Sequence, residues 1–272
     1  MCRFRSGIIL KTRCVIAQEE NDSHSDLLES MGIEDTAENA MRVFVRAELL
    51  PPKNEWWTNP DTWKVNIDQD ITPDWFDEDK ERYITEFRAV VKAWWKDHVL
   101  IDQKVDELTS GYYRLKRCKV KELLNDVKVL CDNSTVSRMY DNSTVSRMYG
   151  NSTVSRMCDN STVSEMCDNS TVSEMCDNST VSRMYDNSTV SRMYGNSTVS
   201  EMYGDSTVSE MYGDSTVSRM YDNSTVSEMY GDSTVSRMYG NSIARNHHDG
   251  TIHISSDTLL KVVNHVNDER ED

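Results

Sequence analysis

The chain opens Met1-Cys2-Arg3-Phe4-Arg5, which places a potential nucleophile at its second residue. Removal of Met1 would leave Cys2 terminal, with its own α-amine able to act as base for the thiol. A second arrangement lies in Asn21-Asp22-Ser23-His24-Ser25-Asp26, where His24 stands between carboxylates and Cys14 lies upstream. Cysteine beside histidine is the nucleophile–base combination of thiol hydrolases. The same residues also suit a helix N-cap at Asp22 or Ser23, which explains them without chemistry. Asp68, Asp70, Asp74, Asp77, Glu78 and Asp79 could attract a divalent cation. That run lacks the glycine of an EF-hand loop, and it more simply decorates a helix N-terminus. His247-His248-Asp249 offers metal-ligand types, but adjacent histidines rarely address one ion. Seven cysteines, an odd number with no CxxC pair, argue against a zinc site and a disulfide framework. Cys2 and His24 are thus the candidate catalytic residues, and neither a metal nor a cofactor is expected.

The bulk properties exclude several classes. A net charge of -16 over 272 residues opposes the cationic face a nucleic-acid binder needs. No apolar run approaches the ~20 residues of a membrane span. The apolar stretch Ile8-Ile9-Leu10 is too short for a signal peptide, so a cytoplasmic location is expected. The many Asn-Ser-Thr triplets match the N-glycosylation acceptor, but without an export signal they read as turn and strand residues.

An internal repeat governs the elements that must position any such residues. From Asp132 to Tyr239 the chain is twelve uninterrupted copies of a nine-residue unit. The unit reads (Asp/Gly)-(Asn/Asp)-Ser-Thr-Val-Ser-(Arg/Glu)-Met-(Tyr/Cys), and its third to sixth and eighth places never change. A helix is disfavoured because nine residues make 2.5 turns and successive units would face opposite ways. Disorder would suit near-identical polar units, but every unit carries a valine, a methionine and a β-branched Thr-Val pair. A β-solenoid fits best. The first two places tolerate tight turns and positive φ, and Ser-Thr-Val-Ser suits a short strand. Two units close one coil of 18 residues, so the twelve units predict six coils.

Alternation along a strand turns valine inward and its neighbours outward. Thr135, Ser137, Thr144, Ser146, Thr153 and Ser155 open the outward rows and are the candidate binding residues. Methionine has the opposite parity, so the backbone must bend near the Arg/Glu place to bury both. Residue n then stacks on residue n+18. One wall carries Arg138, Arg156, Glu174, Arg192, Glu210 and Glu228; the other carries Arg147, Glu165, Arg183, Glu201, Arg219 and Arg237. Tyrosines should form ladders interrupted by Cys158, Cys167 and Cys176, with Cys158 and Cys176 as neighbouring thiols rather than a bridge.

The flanks complete an α+β N-terminal domain followed by an all-β parallel β-solenoid. Residues 1–122 form the first domain and cap the coil, 123–246 form the solenoid, and 247–272 form a closing strand or helix and a charged tail. In the first domain Phe4–Leu10 and Arg13–Ala17 read as a hairpin, Ser23–Met31 as a helix ended by Gly32, and Arg42–Leu49 as a strand. Asp74–His98 reads as one long amphipathic helix. Six tryptophans, Trp56, Trp57, Trp63, Trp75, Trp94 and Trp95, all lie here and can build its core.

Met1-Cys2-Arg3 followed by a hydrophobic strand resembles the start of class II glutamine amidotransferases, which would make Cys2 the nucleophile and Arg3 a substrate contact. The resemblance covers a few residues only. Met1 to Gly7, Ser110-Gly111-Tyr112-Tyr113-Arg114-Leu115-Lys116 and the Asn-Ser-Thr-Val units resemble uncharacterised solenoid proteins of intestinal bacteria and their phages. That resemblance implies a β-solenoid and no known activity. Tyr-Gly-(Asn/Asp)-Ser-Thr-x-Ser resembles the repeats of ice-nucleation proteins, although Ser replaces their second Thr and the period is nine residues. Three functions follow as expectations: a non-enzymatic repeat scaffold or interaction protein, an ice-binding surface, and an N-terminal cysteine hydrolase on a solenoid. Expected partners are proteins or a second copy of the chain, a dimer in preference to a filament, with no direct nucleic acid and no membrane.

Overall fold

The computed structural model describes residues 4–17, 23–246, 251–252 and 262–264. The chain divides into two compact units, Met1–Val99 and Leu100–Asp272.

The first unit is an antiparallel sheet with helices. Strands β1 (Arg5–Leu10) and β2 (Cys14–Ile16) form the hairpin, closed by Leu10 N–H donating to Arg13 O at 2.8 Å. Helix α1 (His24–Ser30) is capped by Ser23, whose Oγ accepts from Asp26 N–H at 3.2 Å. A second short helix, α2 (Ala37–Arg42), takes Arg42 out of the expected strand, because Thr36 Oγ1 caps it by accepting from Asn39 N–H. The strand itself is β3 (Phe44–Leu50), and β4 (Lys64–Ile67), unforeseen in the sequence, pairs with it in the order β2-β1-β3-β4. The long helix is broken into α3 (Asp74–Asp77) and α4 (Lys80–His98). Asp79 leaves helical geometry (φ -141°, ψ 41°) and its carboxylate accepts from Arg82 Nε at 2.6 Å, which starts the second helix afresh. Tyr83, Phe87, Val91 and Trp94 of α4 are buried, as its apolar stripe requires. Trp56 is 1% exposed and sits edge-on to Trp63 with ring centres 5.2 Å apart, so it is a core residue.

The second unit is a parallel β-solenoid with two ten-stranded walls. Each nonapeptide supplies one strand, from β10 (Thr135–Met139) to β21 (Thr234–Val235), and successive strands alternate between walls. Like residues lie over one another 18 residues apart: Val163 pairs with Val181, Met166 with Met184. All twelve repeat valines and all twelve repeat methionines are buried. The ladders pair Thr and Val, skip the following Ser, and resume at Arg/Glu and Met. That skipped residue is the bend that parity demands; it turns Ser and Arg/Glu both outward and returns Met to the core.

The corners explain the first place of the unit. From Asp141 to Gly240 every first-place residue has positive φ, between 55° and 66°. Glycine adopts this without strain. Aspartate tolerates it and adds a bond between coils: Gly150 N–H donates to Asp168 Oδ2 at 2.8 Å and Gly204 N–H to Asp222 Oδ2 at 3.1 Å. The third-place serine, which strand alternation alone did not place, turns into the coil and is buried in every unit.

The winding extends upstream of residue 123. Strands β5 (Val99–Ile101), β6 (Lys104–Leu108), β7 (Tyr112–Lys116), β8 (Lys119–Leu123) and β9 (Lys128–Asp132) belong to the same two walls. Val136 pairs with Val120, sixteen residues back, and Val120 with Val105, fifteen back. These coils have shorter corners and lack the Asn-Ser-Thr signature, yet Val105/Leu108 and Val120/Leu123 keep the spacing of three that separates Val from Met. Downstream, Ile243–Asn246, Thr251–Ile252 and Val262–Asn264 continue the walls in parallel pairing.

Candidate functional site

The outer surface of each wall carries three rows: threonine, serine, then arginine or glutamate. Thr135, Ser137, Thr144, Ser146 and Thr153 are half-buried and Ser155 is exposed, with the valine between each pair buried beneath them. Parallel in-register pairing repeats each row at the strand spacing of about 4.8 Å. Threonine hydroxyls lean back on the corner, Thr144 Oγ1 donating to Asn142 O at 3.4 Å and Thr225 Oγ1 to Asn223 O at 3.4 Å.

The charged rows pair between coils where Arg and Glu are stacked neighbours, while Arg138 lies over Arg156 and Glu210 over Glu228. On one wall Arg147 Nε meets Glu165 at 2.8 Å and Arg183 Nη2 meets the same carboxylate at 2.7 Å. On the other wall Glu174 is flanked by Arg156 at 3.3 Å and Arg192 at 3.2 Å. Side chains in these pairs are between a fifth and a half exposed, so each pair contributes about 1 kcal/mol or less. Glu165→Gln is expected to lower coil stability by about 1 kcal/mol in dilute buffer. The difference should shrink in 1 M NaCl, where the screening length is about 3 Å. Denaturant titrations at the two salt concentrations check this.

Tyrosines stack beside the charged rows. Tyr185, Tyr203, Tyr221 and Tyr239 form one ladder with ring centres 5.2, 4.8 and 4.9 Å apart. Tyr194, Tyr212 and Tyr230 form another, at 5.3 and 5.0 Å. Burial, helped by its hydrogen bond to Glu201, pushes the Tyr203 hydroxyl up to about 12. The hydrogen bond to Glu228, then burial, pushes Tyr230 up to about 12 as well. A folded-state value above the ordinary 10 means the fold favours the neutral ring. The stability these tyrosines contribute is complete below pH 10 and is lost as pH rises towards 12. Circular dichroism melts from pH 9 to 12 should show that fall, together with late tyrosinate absorbance.

The cysteines of the coil are free thiols. Burial, first, pushes Cys158 and Cys167 up to about 11, so both are poor nucleophiles near neutrality.

The N-terminal candidates separate. Cys2 and Arg3 lie outside the described residues, as does His247-His248-Asp249. Cys14 is pushed up to about 11, by burial first and by Glu86 next. Both ring nitrogens of His24 face other groups: Nε2 lies 3.2 Å from Ala47 O and Nδ1 lies 3.4 Å from Asp68. The geometry therefore brings His24 to Asp68 and gives it no bond to Cys14. The acidic run disperses, Asp77 accepting from Thr72 and Asp79 from Arg82. Glu48, which no sequence motif marked, joins His24 and Asp68.

No helix among the described residues is long and apolar enough to cross a membrane. No protein-family model, curated protein or solved structure matches the chain.

Proposed function

We propose that the protein is a non-enzymatic repeat scaffold whose walls present rows of Thr, Ser and paired Arg/Glu side chains to a protein partner. The observation that carries this is the repeated register: outward threonine and serine recur in every nonapeptide while all the repeat valines and methionines are spent on the core. A surface so uniform suits a partner with a matching repeat, a second copy of the chain included, and a dimer in preference to a filament. Kinship with the uncharacterised solenoid proteins of intestinal bacteria and their phages belongs to the same reading. The test compares the full chain with a variant carrying Lys at Thr153, Thr171 and Thr189 on one wall. Light scattering across concentration and cross-linking should show self-association, or capture of one defined partner, that the variant loses. Monomeric behaviour with nothing captured, or capture indifferent to the three lysines, would end the scaffold reading.

Ice binding is a second reading, and one observation favours it: in-register rows of outward threonine, each followed two residues on by a serine, run along both walls. Thermal hysteresis or a raised freezing temperature in solutions of the full chain would support it. Freezing indistinguishable from buffer removes it.

A further inference from the structure

We propose that His24, Glu48 and Asp68 form a site for one divalent transition-metal ion of the zinc class. Each residue offers one ligand atom, and these atoms lie within 4.8 Å of one another. His24 stands in the first turn of α1, Glu48 in β3, and Asp68 just beyond β4. Pairing of β3 with β4 sets Glu48 opposite Asn66, whose amide donates to Glu48 Oε2 at 3.0 Å. Asp68 is held by its N–H donating to Arg46 O at 2.9 Å.

The imidazole shows why a cation belongs there. Ala47 O can only accept, so Nε2 carries the ring proton and donates it. In a neutral ring the other nitrogen, Nδ1, then has a lone pair facing the Asp68 carboxylate at 3.4 Å. Two electron-rich atoms so placed repel unless a cation lies between them. Donors sharing a tetrahedral ion with bonds of about 2.0–2.2 Å stand about 3.3–3.6 Å apart, which the 3.4 Å between His24 Nδ1 and Asp68 matches. A backbone carbonyl orienting the far nitrogen is also the usual outer support of a metal-bound histidine. One imidazole with two carboxylates suits zinc and its neighbours better than calcium or magnesium, which prefer oxygen alone.

The site is closed on the protein side and open outward. The His24 side chain is 10% exposed and that of Asp68 is 54% exposed. Three protein ligands with a free position is the arrangement of zinc sites that also hold water or a small ligand. Asp68 further lines a groove of about 640 Å³ together with Arg46, Asn66 and Gln69, within the size range of small-molecule sites.

The competing occupant is a proton on Nδ1, which would make His24 an imidazolium paired with Asp68. Titration of the metal-free full chain with Co2+ distinguishes the two. One equivalent is expected, with the absorption of nitrogen and oxygen ligands and no thiolate charge-transfer band, which sets it apart from any cysteine site. Zn2+ should displace that ion, and Mg2+ or Ca2+ at equal concentration should not. Asp68→Asn and Glu48→Gln should each weaken binding on the order of a hundredfold. Asp68 is exposed enough for its variant to keep the fold, verified by an unchanged circular dichroism spectrum. Absence of uptake, uptake only with thiolate bands, or an affinity in either variant unchanged from that of the unsubstituted chain would overturn the site and leave the place to the proton.

Discussion

Val181→Asp should lower the stability of the coil by at least about 4 kcal/mol, while Thr180→Lys, one residue earlier, should change it by less than about 1 kcal/mol. Val181 is wholly buried between Val163 and Val199 on its own wall, with no polar group in the valine column to accept a charge. A buried carboxylate must therefore either remain unpaired or open the coil. Thr180 lies on the outer row between Thr162 and Thr198 and can hold a lysine in water. Denaturant titration followed at the β-sheet circular dichroism band reads both. Equal effects at the two positions would mean that the inward and outward faces have been exchanged or that neither exists.

Phe87→Ala should destabilise the first unit by about 3–5 kcal/mol, followed by tryptophan fluorescence because all six tryptophans lie between Trp56 and Trp95. The Phe87 ring is fully buried and occupies the space above Gly7 in β1. A Cβ at Gly7 would overlap that ring and stand 2.8 Å from Val15 O, so Gly7→Ala alone should cost about 1–3 kcal/mol by overpacking. Combined, the two changes should cost less than their sum, since the lost ring leaves room for the new methyl. Additivity would show that Gly7 and Phe87 are not packed together.

Much of the coil was legible because tandem units repeat the same physical statement twelve times. Turn formers at the first two places, a β-branched pair after them, and two apolar residues of opposite parity leave few other ways to fold. The upstream coils were not legible in the same way. Val105, Leu108, Val120 and Leu123 carry the inward spacing, but their corners lack the Asp/Gly-Asn-Ser punctuation that marks the repeat. The break at Asp79 was hidden by an apolar stripe that continues in register across it, from Phe76 to Tyr83. The His24 cluster was the least legible feature. Its three members come from separate elements joined by an antiparallel pairing of β3 with a strand that the sequence pattern did not announce. His24 was visible as an unusual residue, but its capping neighbour Ser23 explained the local composition, and nothing local pointed to Glu48.

Paired nonapeptides winding into a single rung can be tested by distance. Nitroxides on unnatural residues at Thr135 and Thr225 would stand on the same row, five rungs apart. Pulsed dipolar spectroscopy of the full chain should give a narrow distribution centred at about 24 Å, five strand spacings of about 4.8 Å, broadened only by the tethers. A broad distribution, or a narrow one centred far from that value, would contradict the stacked coil.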